Sequence, residues 1–596
     1  MLAASLAFLL ALLPQGDAGR PRGLEVVLVD VGQGDGAVIR APDGTVHVVD
    51  AGPNGQGTAA VRPAIAALAP LRYGATFLSH YHSDHAGGMD EVLGALPFTA
   101  AYDRGDQNRP TGGDVTDYLN AAAARRRTAL PGQVFQLGGG ATLTVVAVNG
   151  QILGGAFVDP TTSAQEENSR SLALRLDYGG FQMWFGGDLT GGGNGTADVE
   201  SPATLASGDV DVYRVNHHGS NTSTNVNLVS RLRPELAVFS CGAANPYGHP
   251  TTTTINRLNQ AAAMRVLLAT TQGTGAVGFG VGGTITLSTD GQRYRATGAD
   301  GRFLDFFTDE VANRAPAAGT VVISELHRAP GAVADANGEY LELTNTGAAP
   351  VSLRNVQISS ASGTFTIFTN LALYPGRPVL LHADGLRTRN GGQPLGAVWP
   401  YQALTLGNTS DTVRAALGAT VLDSVAVGSG FPGGAGVAAE RRDLLGPAQA
   451  ANFAAAAPTF GAGDRGTPGA RNAADSTPAP ARLAVEATPA ELVLRASALA
   501  DGSRLSVVAL SFGTQPGFRF LGATIPLHPD AFFVLSLQLP EFVANLPGEG
   551  YRSLTLPLPL PNPAKGMQAF AAHLVLDLVP PGAVTRVSEA AAFVFP

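Results

Sequence analysis

Three histidines and an aspartate fall within six positions of FLSHYHSDHAGGMDEV: His80, His82, Asp84 and His85. The chain of 596 residues holds only 11 histidines, so this density asks for a chemical reason. Imidazole nitrogens and carboxylates are the usual ligands of zinc and similar divalent ions. On an extended segment His80 and His82 point the same way and can share one ion. Asp84 and His85 follow on a turn and can serve a second. The apolar ATFLS ahead of them predicts a strand, which puts these ligands at its C-terminal end, where α/β sites lie. Two later stretches offer further ligands. LALRLDYGGFQMWFGGDLTGGG pairs two apolar runs and then presents Gly186, Gly187 and Asp188, a carboxylate able to approach closely and bridge two ions. DVDVYRVNHHGSNTS ends another strand on His217 and His218.

The elements that position these residues read as α/β. Short β-type runs at Leu24–Val29, Gly36–Arg40 and Val46–Val49 alternate with Gly and Asp turns, and helical patterns follow near Thr58–Ala69 and Gly88–Leu93. The alternation continues to about residue 290 and predicts sheets packed inside helices. Residues 296–318 read as a linker, 319–474 as strand after strand, 475–482 as a second, Pro- and Ala-rich linker, and 483–596 as a further β-rich domain. A chain of this length, with 75 Gly, 40 Pro and 14% charged residues, is expected to form several turn-rich folded modules.

Net charge is -9, which excludes a strongly basic surface for nucleic acid, although a bound metal adds local positive charge. Arg125–Arg127 could guide a polyanion, but a solvated helix end is the expected reading. The one cysteine, Cys241, excludes both an internal disulfide and a Cys-rich zinc site; a small buried thiol is expected. The apolar run ending at Leu13, followed by small residues up to Ala18, reads as a secretory leader over residues 1–18. No other long apolar segment suggests a membrane span, so a secreted, extracellular, periplasmic or cell-surface protein is expected.

The motifs HxHxDH at His80–His85, GD at Gly187–Asp188 and HHGS at His217–Ser220 resemble the metallo-β-lactamase superfamily. More narrowly, VDVGQGDGAVIRAPDGTVHVVDAG, ENSRSLALRL and NPYGHP are similar to the extracellular hydrolase domain of ComEC-type competence proteins, over about residues 24–290. The resemblance implies an αββα metallo-β-lactamase sandwich over residues 24–295, with two divalent ions, zinc or manganese, between its sheets. It implies His80, His82 and Asp188 on one ion, and Asp84, His85, Asp188 and a histidine of the 217–218 pair on the other. His217, nearer the strand end, is the expected ligand; His218, Asn168 and Ser171 are secondary candidates. Many superfamily members carry a further histidine ahead of the bridging aspartate. None lies between Ala86 and Gly187 here, so weaker binding of the first ion is expected.

A bound divalent ion lowers the pKa of water to about 7 and neutralises a phosphodiester oxygen. The expected function is therefore a secreted metal-dependent phosphodiesterase or nuclease using hydroxide formed at this two-metal site, with Asp84 orienting it and His249 contacting the phosphate or leaving group. DNA or another phosphodiester would be the substrate. The alternatives are a metallohydrolase of a lactam, lactone or phosphorylcholine ester, and a non-enzymatic surface-binding protein.

Downstream, VVISELHRAPGAVADANGEYLELTNTG, AERRD and GDRGTPGARN resemble a lamin-tail domain, which implies an immunoglobulin-like β-sandwich over 319–474 that binds or tethers a surface or polymer. Glu325, Glu339 and Glu342 are expected at solvent-facing strand positions rather than as cation ligands. Residues 483–596 resemble no family and are expected to form a small β-sandwich for adhesion or spacing.

Overall fold

The computed structural model describes residues 23–259, 263–309 and 314–477, and most of the chain from 482 to 595. The expected leader, 1–18, and residues 478–481 of the second expected linker lie outside the described residues. Two nine-stranded sheets stack to form the first domain. In the first, Leu24–Leu28, Gly36–Arg40 and Thr45–Ala51 pair antiparallel, and Arg72–Phe77, Ala100–Asp103 and Arg126–Thr128 continue in parallel. In the second, Phe181–Phe185, Val212–Arg214, Leu236–Phe239 and Val266–Ala269 run parallel in that order.

The period-two pattern read from the sequence sorts side chains to the two faces. Leu24, Val26 and Leu28 enter the core between the sheets, whereas Val27 and Val29 meet the outer helices. Helices Arg62–Ala67, Met89–Ala95 and Gly113–Ala122 cover the first sheet through Ile65, Val92 and Tyr118. Helices Glu200–Ser207, Val226–Leu232 and Thr252–Leu258 cover the second through Ala203, Leu228 and Ile255. The layers are thus helix, sheet, sheet, helix, as expected.

The first part of the expected linker at 296–318, residues 296–307, is corrected. Arg293–Thr297 and Phe303–Phe307 form a hairpin at the edge of the first sheet. Tyr294, Ala296, Leu304 and Phe306 fill the core, and Arg295 pairs with Asp305 at 2.7 Å. The Gly- and Asp-rich TGADGR that reads as a spacer is the hairpin's turn.

The second domain is a β-sandwich of a five- and a six-stranded sheet. One strand of the five-stranded sheet, Ala263–Met264, comes from the first domain and pairs parallel with Thr364–Ile367. Thr369 Oγ1 donates to the Glu235 carbonyl at 2.9 Å and accepts from Val266 N at 3.2 Å. A single apolar cluster runs from Leu24 through Phe306 and Val321 to Phe453, so the two domains share a core. Glu325, Glu339 and Glu342, expected to face solvent, are instead buried. Residues beyond 482 form a β-rich unit in which Leu505–Ser511 pairs with Gln568–Asp577 and Glu491–Ser497 with Tyr551–Pro557. Among the described residues, no helix is long and apolar enough to cross a membrane.

Candidate metal centre

Strand Arg72–Phe77 ends on the segment Leu78–His85, and a four-residue helix, Ser83–Ala86, turns the chain back. His80 and His85 are fully buried and His82 is exposed. Strand Phe181–Phe185 delivers Gly186, Gly187 and Asp188 to the same place. The glycines are required there: a Cβ on Gly186 would lie 2.1 Å from Asn216 Oδ1, and Gly187 has a positive φ of 52°. Val212–Arg214 brings in Asn216–Gly219, where His217 and His218 both adopt left-handed φ, 52° and 54°.

Asp188 sits between two sets of ligand atoms. Its Oδ2 lies 3.7 Å from His80 Nε2 and 3.5 Å from His217 Nε2. His80 Nε2 is in turn 3.0 Å from His82 Nδ1. Its Oδ1 lies 3.2 Å from His85 Nε2 and 3.6 Å from His218 Nε2. Asp84 Oδ2 approaches His218 Nε2 to 3.2 Å, and Asp84 Oδ1 lies 4.0 Å from His85 Nε2. Asp35, His85, Asp188 and His218 form one compact ligand group, and His80, His82 and Asp188 form another.

Outer partners aim the imidazoles. His85 Nδ1 meets Asp50 Oδ2 at 2.9 Å, and His218 Nδ1 meets the Ser240 carbonyl at 2.9 Å. His80 Nδ1 lies 3.1 Å from Ser79 Oγ and His217 Nδ1 lies 3.1 Å from Thr222 Oγ1. Each ring thus turns Nε2 inward, the arrangement that fixes a metal-binding tautomer. The inward atoms fit a cation: His85 Nε2, His218 Nε2 and Asp188 Oδ1 are buried and have no hydrogen-bond partner. Orphaned buried polar atoms are costly unless something else satisfies them.

Electrostatics agree. Burial alone would raise the Asp188 carboxyl, but His217, His85 and His218 hold it well below the usual carboxylate range. Burial would lower His85, yet Asp188 and Asp84 raise it well above the ordinary imidazole value. Burial pushes His80 well down, and His85 adds to the shift. His249 is pushed down to about 4 by burial and by His218 and His217.

The structure sets the two adjacent histidines on different oxygens of Asp188: His218, with Asp84 and His85, faces Oδ1, and His217 faces Oδ2. The two consecutive left-handed residues swing the side chains to opposite sides of Asp188. His217 Nε2 thus faces the same Asp188 oxygen as His80, although the compact group of ligand atoms there is His80, His82 and Asp188. Asn168 Nδ2 lies 3.3 Å from His217 Nε2, and Ser171 Oγ accepts from Asp188 N at 3.2 Å. The His249 ring lies 5.5 Å from that of His217. Of Arg125–Arg127, Arg125 donates to the Leu93 and Ala121 carbonyls, Arg126 to Asp103 and Asp106, and exposed Arg127 to the Ala124 and Arg126 carbonyls. Cys241 is buried, which pushes its thiol up to about 11.

Sequence reasoning missed Asp35, Asp50 and Glu200. Asp35 pairs with buried Arg214. Glu200 accepts from Asn216 Nδ2 at 2.8 Å, Thr224 N at 2.7 Å and Asn225 N at 2.9 Å, which clamps the histidine loop at both ends. Asp35 and Asp50 stand in the GQGD and VVDAG turns, each at a strand end, and that placement was their only signal.

The Metallo-beta-lactamase superfamily matches residues 29–242, and the Lamin Tail Domain matches residues 314–428. The chain carries a metallo-beta-lactamase domain followed by a lamin tail domain. Competence protein ComA of Neisseria gonorrhoeae is 28% identical over 259 residues, covering 43% of this chain and 32% of that protein. ComE operon protein 3 of Bacillus subtilis is 27% identical over 267 residues, 42% of this chain and 32% of that protein. Recombination protein 2 of Haemophilus influenzae is 28% identical over 183 residues, 31% of this chain and 19% of that protein. The chain thus matches about a third or less of these relatives. Among solved structures, Zn(2+)-bound PqqB from Methylobacterium extorquens is similar at 14% identity, covering 39% of this chain and 93% of that one, with a TM-score of 0.26.

Proposed function

We propose that the chain is a metal-dependent hydrolase that cleaves phosphodiester bonds in nucleic acid. The observation that carries this reading is Asp188, whose two oxygens each face a separate set of inward-turned imidazoles. In this proposal His80, His82, His217 and Asp188 would hold one divalent ion, zinc or manganese. Asp84, His85, His218 and Asp188 would hold the other, with Asp35 behind His218. When bound, the ions supply a water of lowered pKa and positive charge against a phosphate oxygen. Asp84, on the rim of the second set, orients the attacking water as well as contributing a ligand. Asn168 keeps Oδ1 buried and without a hydrogen-bond partner, so it can orient a polar group of the substrate beside His217. His249, held neutral by its low pKa, can accept a hydrogen bond from the substrate or the leaving group. The relatives' names, which speak of competence and recombination, favour DNA as the substrate. The leader-like N-terminus favours action outside the cytoplasm, and the lamin tail domain is proposed to bind a surface or polymer.

The test is to purify the chain, count bound metal, and incubate it with bis(4-nitrophenyl) phosphate and with DNA in manganese or zinc. Metal-dependent cleavage that disappears in Asp84→Ala supports the reading. A protein that holds metal but cleaves no phosphodiester rejects it.

A further inference from the structure

One aromatic residue stands in water beside the centre. Tyr247 is 67% exposed, at the tip of the loop Gly242–His249. Its ring lies 5.8 Å from that of His249 with 25° between the planes. His249 in turn lies 6.1 Å from His218 at 29°. The Tyr247 ring is thus offset from His249, and His249 from His218 of the second ligand set, with 25° and 29° between the planes, while most of Tyr247 is open to solvent. The loop does not rely on Tyr247 for its shape. Asn245 Nδ2 donates to the Gly242 carbonyl at 2.8 Å and to the His249 carbonyl at 2.6 Å, and Asn245 Oδ1 accepts from His249 N at 3.0 Å. Gly242 N donates to Gln33 Oε1 at 3.0 Å, and Ala244 N to the Gly273 carbonyl at 2.8 Å. The tyrosine is thus presented on a pinned support. His249 adds a buried Nδ1 without a hydrogen-bond partner.

We propose that Tyr247 and His249 form a ring-stacking subsite, so that the substrate of this centre is an unpaired nucleotide strand rather than a duplex. The inference rests on the phosphodiesterase reading and names its substrate class. A planar base gains a stacking partner here only if it is free of its own neighbours, and aromatic platforms bind unpaired strands with little sequence preference. A base one nucleotide from the scissile phosphate would lie on the Tyr247 face while the phosphate meets the ligand sets.

The experiment measures binding apart from turnover. A labelled phosphorothioate oligothymidylate, resistant to cleavage, is titrated with the full chain in manganese, alongside an abasic deoxyribose-phosphate oligomer of equal length. The wild type should prefer the base-bearing strand. Tyr247→Ala should weaken that strand by about tenfold and erase the preference, and Tyr247→Phe should retain it. No preference in the wild type, or equal affinity in Tyr247→Ala, overturns the subsite. Hydrolysis of bis(4-nitrophenyl) phosphate by the wild type is scored separately. Turnover there without base preference removes the subsite and leaves the phosphodiesterase reading. Base preference that depends on Tyr247 without turnover of any diester keeps the subsite and removes the catalytic reading.

Discussion

The metal centre and a glutamate cluster in the lamin tail domain both bury carboxylates, and they satisfy them in opposite ways. Glu325 stands opposite Glu342 on one neighbouring strand and Glu440 on the other, and all three are fully buried. Their oxygens accept from Tyr340 Oη at 2.7 Å, Thr467 N at 3.0 Å and Ala474 N at 2.8 Å, and from Gly469 N. Thr467 Oγ1 lies 2.9 Å from Glu325 and 3.1 Å from Glu440, yet has one proton to give. Burial raises Glu325 to about 7 and Glu342 well above the ordinary value. Hydroxyl and amide donors meet most of the cluster's oxygens, and Glu342 Oε2 alone among those of the three glutamates is buried without a hydrogen-bond partner. At Asp188 the neighbours are imidazole nitrogens turned inward, and His85 Nε2, His218 Nε2 and Asp188 Oδ1 are buried without a hydrogen-bond partner. Burial of carboxylates alone therefore does not make a cation site; the chemistry of the facing groups does.

The sharpest way to break this comparison is Asp188→Ala. It should empty both ligand sets and lower hydrolysis on the order of a thousandfold, since each tenfold is about 1.4 kcal/mol of barrier. Elemental analysis and turnover check it; retained metal at full stoichiometry would place the ligands elsewhere. Next, His217→Ala and His218→Ala should each remove one ion of two, with at least about a hundredfold weaker binding at the affected set. Titration with a chromophoric chelator separates two steps, and equal loss of both ions in either variant would contradict the split around Asp188. A smaller effect is expected from Glu200→Gln, which keeps the size of the clamp but loses acceptors. Metal affinity should fall about tenfold, with the fold retained by circular dichroism.

The smallest effect belongs to the glutamate cluster. A carboxyl whose folded pKa is raised stabilises the fold fully below its unfolded value of 4.5, and that contribution is lost as pH rises through the folded value near 7. Stability of the lamin tail domain should therefore fall between pH 5 and pH 8.5 by roughly 2 kcal/mol from Glu325. Glu325→Gln should flatten the change, as read from urea midpoints at the two pH values. A wild-type midpoint that rises with pH, or an unchanged slope in the variant, would show that the cluster is ionised.

Much of the centre was legible because its ligands are close in the chain. The spacing of His80, His82, Asp84 and His85 needs only an extended segment and a turn, both of which local propensity supplies. Asp188 alone reads as an ordinary turn aspartate and was legible only in company with the two histidine motifs. The layered fold was legible from period-two runs such as Leu24–Leu28, whose alternate residues enter different cores. The hairpin at 293–307 was not, because a Gly- and Asp-rich turn and a linker have the same composition. Only pairing with Ile285–Thr289 distinguishes them.

The sequence by itself determined which residue types are available to hold metal and at which strand ends they emerge. Tertiary structure decided the rest. Which of two adjacent histidines faces which ligand set depends on two left-handed backbone angles, and the Glu200 clamp that holds that loop joins segments far apart in the chain. Whether a strand glutamate is wet or buried depends on what packs over it, and Glu325 is covered by Thr467, 142 residues away. Hydrophobic pattern is a local property that the chain carries with it; partnership is a long-range one that exists only after folding.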